Sequence, residues 1–136
     1  MIRLLCGPKG TGKTQLIVGE IDKAVENAKG DIVFITDKKK DSIRLDFNVR
    51  VLYTDEFDVN CAKCFGGFIK GLMAGNSDIE YLYIDGLLRI IGDEDAAFEQ
   101  FMKVVTWLEK EYGFNVVVTV SKEKEQIPPK YQAYVA

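Results

Sequence analysis

The sequence predicts an α/β protein, in which a parallel sheet carries helices on both faces in three layers. Short apolar runs alternate along the chain with amphipathic segments of helical spacing, and this alternation is typical of a parallel sheet. The runs at residues 2–6 and 115–120 are almost continuously apolar, as expected of strands buried on both faces. The length of 136 residues suits one domain, 1–136.

The first half of the chain predicts three strands and two helices. Residues 2–6 form a strand closed by Gly7-Pro8, and residues 13–28 show apolar side chains at helical spacing before the stop signal Gly30. Further strands are predicted at 32–35 and 49–53, separated by a charged loop. A second amphipathic helix is expected at about 59–73.

The second half repeats the alternation. Residues 81–84 predict a strand that ends at Asp85-Gly86, and residues 94–112 predict a long helix ended by Gly113. The run at 115–120 is rich in β-branched residues and is the strongest strand signal. After Pro128-Pro129, the tail at 131–135 is expected to form an edge strand.

Charge and hydropathy exclude several classes of partner. The formal net charge is −3, which argues against nucleic acid as the main partner because nucleic acid favours a basic face. No apolar run reaches the length of a membrane-spanning helix, so we expect no membrane association. The apolar N-terminus continues directly into a glycine-rich segment and does not resemble a signal peptide. Three cysteines fit a reducing cytoplasm, so a cytoplasmic location is expected.

The segment from Gly7 to Thr14 fits the phosphate-binding pattern G-x-x-x-x-G-K-[ST] at every fixed position. It lies between a predicted buried strand and an amphipathic helix, where its backbone N–H groups and the helix dipole would cradle phosphates. The pattern predicts a P-loop that binds a nucleoside triphosphate, ATP above all, with Lys13 at the β- and γ-phosphates. The expected nucleotide-binding residues are Gly7, Pro8, Lys9, Gly10, Thr11, Gly12, Lys13, Thr14 and Gln15.

A second carboxylate completes the predicted magnesium site. Asp85 ends the apolar run at 81–84, as in a Walker B motif, and should lie near the phosphates at the carboxyl edge of the sheet. We therefore expect Thr14 and Asp85 to hold Mg²⁺. The alternative is that Asp85 only caps the turn at Gly86.

Among P-loop proteins, the chain resembles the RecA-like ATPases, including the RadA and KaiC branches, and more distantly the PilT-type motors. The GTPase signatures D-x-x-G and N-K-x-D are absent, and the four arginines are too scattered for the lid of a small-molecule kinase. The similarity lies in the order of elements over residues 1–122 and in Tyr83-Ile84-Asp85. Beyond the two Walker motifs, no specific motif supports it.

The resemblance implies further roles at the predicted site. RecA-like enzymes often carry a catalytic Glu after the second strand, where this chain has Asp37. Asp55 and Glu56 after the third strand are further candidate bases, and the alternative for each carboxylate is a helix cap or a solvated turn. Thr119 or Ser121 occupies the place of the γ-phosphate sensor. The alternative is that this hydroxyl only makes a local hydrogen bond at the end of the strand. RecA-like hydrolysis also commonly uses a cation supplied by a neighbouring subunit. Arg44, Arg50 and Arg89 are the candidates for this arginine finger, and the sequence does not distinguish among them. Lys13, Asp37 and Glu56 are therefore the expected catalytic residues.

Three functions remain open from the sequence. The first is a slow, Mg²⁺-dependent ATPase of minimal RecA-like type. The second is a switch that binds ATP without hydrolysing it and reports to a protein partner. The residue after Asp85 favours this function, because it is Gly and not the Glu that would activate water. The third is a small phosphotransferase. A protein partner or a homo-oligomer is compatible with the first two.

The chain also contains a C-x-x-C motif, Cys61-Ala62-Lys63-Cys64. Zinc would need four ligands, and the chain has no histidine and only one further cysteine. We expect these cysteines to pack in the core or near the surface on the second helix, with redox and metal roles as alternatives.

Overall fold

The computed structural model describes residues 1–136, and its centre is one sheet of five parallel strands. The strands are β1 (Ile2–Cys6), β2 (Asp31–Thr36), β3 (Arg50–Tyr53), β4 (Ile79–Ile84) and β5 (Asn115–Val120). Their order across the sheet is β1-β5-β4-β2-β3, and every pairing is parallel. The prediction of an α/β protein with a parallel sheet is therefore confirmed.

Four helices lie on the two faces of the sheet. They are α1 (Lys13–Asn27), α2 (Ala62–Gly75), the short α3 (Leu87–Ile91) and α4 (Asp95–Tyr112). Successive residues of a strand point to opposite faces, so Val33 and Ile35 pack with α2, α3 and α4, whereas Ile32 and Phe34 pack with α1. The first cluster contains 27 buried residues and the second nine, so most of the core lies on the side of α2 and α4.

The loop at 37–48 covers part of the α1 face where no second helix exists. Ile43 and Leu45 in this loop are partly buried and pack against the cluster that contains Ile17 and Phe34. They cover apolar surface of β2 and β3 that α1 does not reach. None of the helices in the structure is both long and apolar enough to cross a membrane.

The predicted edge strand at 131–135 is wrong. Residues Pro129–Tyr134 form a 3₁₀ helix, and only Val135 makes a single bridge to Leu4 of β1. Proline has a fixed φ and lacks an N–H donor, so Pro128-Pro129 favours the start of a helical turn over a ladder of strand hydrogen bonds.

One helix boundary and one short helix also differ from the prediction. Helix α2 begins at Ala62 and not at 59, because a 3₁₀ turn at Thr54–Phe57 and a short connection precede it. Helix α3 was not expected at all, and its five residues follow directly on Gly86.

Candidate functional site

The candidate site lies at the carboxyl edge of the sheet, where β1, β4 and β5 end. The glycine-rich loop, residues 7–12, joins β1 to α1. Gly10 and Gly12 have φ of 81° and 84°, a region that side chains with a Cβ adopt only with strain. Glycine at these two positions allows the loop to turn directly into the first residue of the helix.

The N-terminus of α1 is open to an anion. Its cap, Gly12, offers no side chain to the free N–H groups of the first turn, and no acidic residue lies in that turn. These N–H groups and the helix dipole together place partial positive charge at the loop. Such a terminus binds phosphate or carboxylate groups.

Lys13 folds back over the loop. Its Nζ donates hydrogen bonds to the carbonyl oxygens of Gly7 at 2.7 Å and Pro8 at 2.8 Å. The Thr11 hydroxyl donates to the same Pro8 oxygen at 2.8 Å. The ammonium is thus held at the loop by neutral acceptors only, which leaves its positive charge without an ionic partner.

Thr14 and Asp85 meet across the end of β5. The Thr14 hydroxyl donates to the Asp85 carboxylate, with distances of 3.0 and 3.2 Å to its two oxygens. The Thr119 hydroxyl donates to Asp85 Oδ1 at 2.7 Å and accepts the Gly86 N–H at 2.7 Å. Asp85 is 1% exposed, so its orientation is fixed by these donors.

These oxygens suit a magnesium ion that also binds phosphate. The structure contains no cluster of three or more His, Cys, Asp or Glu side chains that could hold a metal alone. Mg²⁺ in phosphate sites needs only one or two carboxylates, because phosphates and waters complete its octahedron. A hydroxyl and one buried carboxylate in contact therefore fit this metal.

Arg89 on α3 joins two carboxylates of the site. Its Nε donates to Asp37 Oδ1 at 3.2 Å, and its terminal nitrogen lies 3.5 Å from Asp85 Oδ2. Burial opposes ionisation of Asp37, but the charge and hydrogen bond of Arg89 outweigh it, so the pKa of Asp37 lies below its usual value. Asp37 is consequently a paired anion.

The cleft formed by these groups has a volume of about 410 Å³ and no hydrophobic side chain in its lining. Three cations, Lys9, Lys13 and Arg89, line it against the single carboxylate of Asp85. Gln15, Thr119 and Ser121 also line it. The cleft is therefore positively charged in a protein of net charge −3, which favours an anionic ligand.

The structure brings most of the predicted residues together, but not all. Lys9, Gly10, Gly12, Lys13, Thr14, Gln15 and Asp85 line the cleft, and Gly7, Pro8 and Thr11 lie behind them in the loop. Asp37 reaches the site only through Arg89. Glu56 is exposed on the 3₁₀ turn after β3 and does not line the cleft.

Sequence reasoning left two features of the site unassigned. The sequence did not distinguish Arg89 from two other arginines, because the helix that brings it within 3.5 Å of Asp85 has only five residues. Asp93 lines an adjoining cleft of about 470 Å³, which shares Lys9, Arg89 and Ser121 with the first. No local pattern pointed to Asp93.

In comparisons with known proteins, no family model matches the chain and no curated protein sequence matches it.

Proposed function

We propose that this protein is a P-loop protein of RecA-like type, whose residues 1–136 form one domain that binds ATP with Mg²⁺ and hydrolyses it slowly. One observation carries the proposal. The glycine-rich loop turns from a parallel strand into an open helix N-terminus, and directly beyond it the Thr14 hydroxyl contacts the buried Asp85 carboxylate. This combination supplies both a phosphate cradle and a pair of magnesium ligands.

Each residue of the cleft has a role in this proposal. The loop N–H groups bind phosphate oxygens, and Lys13 exchanges its two carbonyl acceptors for the β- and γ-phosphates. Thr14 and Asp85 would hold Mg²⁺, which when bound would neutralise phosphate charge. Thr119 orients Asp85 and occupies the place at which the resemblance to RecA-like ATPases implies a γ-phosphate sensor.

Slow hydrolysis follows from the shortage of a free base. Gly86 follows Asp85, and apart from Asp85 no carboxylate lines the cleft. Asp37 is the best-placed acid, but its ion pair with Arg89 and lowered pKa make it a weak proton acceptor. Water activation therefore requires Arg89 to release Asp37, for instance towards the phosphates.

The Asp37–Arg89 pair also favours a second candidate, a switch that binds ATP without turnover and signals to a protein partner or to further copies of the chain. Phosphate release measured on purified protein with ATP and Mg²⁺ separates the two. We expect slow release that falls in Asp37→Asn and is unchanged in the matched variant Glu56→Gln. Binding with no release above the rate without protein would reject the ATPase and leave the switch.

The binding site itself is tested by Lys13→Ala. We expect this variant to bind ATP at least about tenfold more weakly, equivalent to about 1.4 kcal/mol, because the ammonium that compensates the phosphate charge is lost. Isothermal titration calorimetry with ATP, ADP and GTP in Mg²⁺ measures the affinities. Lys23→Ala is the matched control, since Lys23 is exposed further along the same helix. Equal affinities in the two variants would overturn the site.

A further inference from the structure

Cys61 and Cys64 lie together at the start of α2, away from the cleft. Cys61 is the N-cap residue of the helix, and its Sγ accepts the backbone N–H of Cys64 at 3.2 Å. The two Sγ atoms are 2.7 Å apart, within hydrogen-bonding distance. Cys61 is partly exposed and Cys64 is exposed, so a small reagent can reach the pair.

The structure places both cysteines near the surface of α2 and not in the core. The buried stripe of α2 consists of Ala62, Phe65, Gly66, Ile69 and Met73, and both cysteines fall outside it. A metal role also lacks ligands, because no third His, Cys, Asp or Glu completes a group with them. Packing near the surface does not by itself explain why the two accessible sulfur atoms are held in contact.

The surroundings make the two thiols unequal. The hydrogen bond between the two thiols, followed by the one from the Cys64 N–H, lowers the pKa of Cys61 below its ordinary value. The hydrogen bond to Cys61 raises the pKa of Cys64. The third cysteine, Cys6 on β1, has its pKa raised to about 11 by burial. Because the thiolate is the reactive form, Cys61 is the expected nucleophile and Cys6 is expected to be inert.

We propose that Cys61 and Cys64 form a redox-active dithiol that closes to an intramolecular disulfide by exchange with a low-molecular-weight disulfide such as oxidised glutathione. The Cys61 thiolate attacks one sulfur of the reagent, forms a mixed disulfide and releases the other half as a thiolate. The Cys64 thiol then loses its proton and attacks Cys61 Sγ, which forms the internal disulfide and releases the second half as a thiol. The dithiol is oxidised by two electrons, and the reagent is reduced to two thiols once the released thiolate takes up a proton from solvent.

Mass spectrometry of the intact protein tests this sequence of steps. Reduced protein is incubated with oxidised glutathione, quenched with acid, and alkylated at its remaining thiols. We expect the wild type to lose two hydrogen atoms in mass and to keep one alkylatable thiol, which peptide mapping assigns to Cys6. Treatment with a dithiol reductant should restore all three thiols.

Two matched variants separate attack from resolution. In Cys64→Ser, the mixed disulfide with glutathione should accumulate on Cys61, because the resolving thiol is missing. In Cys61→Ser, glutathionylation should be at least about tenfold slower, because the sulfur atom at the N-cap, which accepts the Cys64 backbone N–H, is missing. Both positions are accessible, and serine is similar in size to cysteine. Circular dichroism checks that each variant is folded.

Other outcomes would overturn the proposal. A stable mixed disulfide on the wild type would show that Cys64 does not resolve it. Equal reaction rates in the two serine variants would show that the two thiols do not differ in reactivity. A disulfide between two chains on a non-reducing gel would show that the bond formed is not intramolecular. None of these results depends on nucleotide binding, so the test stands apart from the function proposed for the cleft.

Discussion

Arg89 and Gly86 show how single residues shape the cleft. The guanidinium of Arg89 lies between Asp37 and Asp85 and directly over Gly86, where an added Cβ would overlap it. Gly86 also has φ of 82°, and its N–H donates to the Thr119 hydroxyl that holds Asp85. A side chain at position 86 would therefore disturb both carboxylates at once, which explains why the residue after Asp85 is glycine and not an acid.

Gly86→Ala tests this explanation. We expect it to destabilise the protein by about 1–3 kcal/mol, because alanine is strained at positive φ and its methyl group must displace Arg89. Urea unfolding measures the change. Gly71→Ala is the control, since Gly71 is exposed within α2 with no atom near an added Cβ, and this change should stabilise the helix by up to about 1 kcal/mol. Equal effects of the two substitutions would contradict the role of Gly86.

At the scale of elements, the C-terminal 3₁₀ helix packs against α4, and the residues after it pair with β1. Tyr131 is buried and its ring meets Phe98 of α4 edge-on at 5.9 Å. Just beyond it, Val135 bridges to Leu4, and the Ala136 N–H donates to the Leu4 carbonyl at 3.0 Å. The tail therefore covers the outer edge of β1 without adding a strand to the sheet.

Removal of the Tyr131 ring should weaken the packing of the C-terminal tail against α4. We expect Tyr131→Ala to lower the free energy of unfolding by about 3 kcal/mol, because a buried ring leaves a cavity against Phe98. Tyr112→Ala removes the same ring from an exposed position at the end of α4 and should change stability by less than about 0.5 kcal/mol. Thermal or urea unfolding of both variants provides the comparison, and similar losses would mean that the tail packs only loosely.

The elements that the sequence predicts well are those with long periodic signals. The strands β1, β2, β4 and β5 have apolar or β-branched runs, and α1 and α4 span several turns. Helix α3 has only five residues, too few for an apolar period to be recognised. The start of α2 was misplaced because Cys61 caps it, and cysteine is not among the residues that usually mark an N-cap.

At the scale of the whole molecule, the contact between Thr14 and Asp85 could be anticipated because parallel strands end at one edge of the sheet. The strand order could not, since it depends on packing between residues far apart in the chain. This order places β5 between β1 and β4, so that Thr119 stands beside Asp85. The Arg89–Asp37 pair likewise joins α3 to the end of β2, 52 residues apart in sequence.

That pair links the site to the stability of the whole protein at low pH. The pKa of Asp37 is lower in the folded protein than its ordinary value, so the folded state favours the ionised carboxylate. Its contribution to stability is complete above the unfolded pKa of about 4 and is lost as the pH falls towards the folded pKa. We therefore expect the free energy of unfolding to fall less steeply between about pH 5 and pH 3 in Asp37→Asn than in the wild type. Urea unfolding across this range measures both slopes. Asp22→Asn, which removes an exposed carboxylate without an ion pair on α1, is the control. If all three proteins lost stability in parallel, Arg89 would not hold Asp37 as an ion pair in solution, and Asp37 would be free to serve as a base.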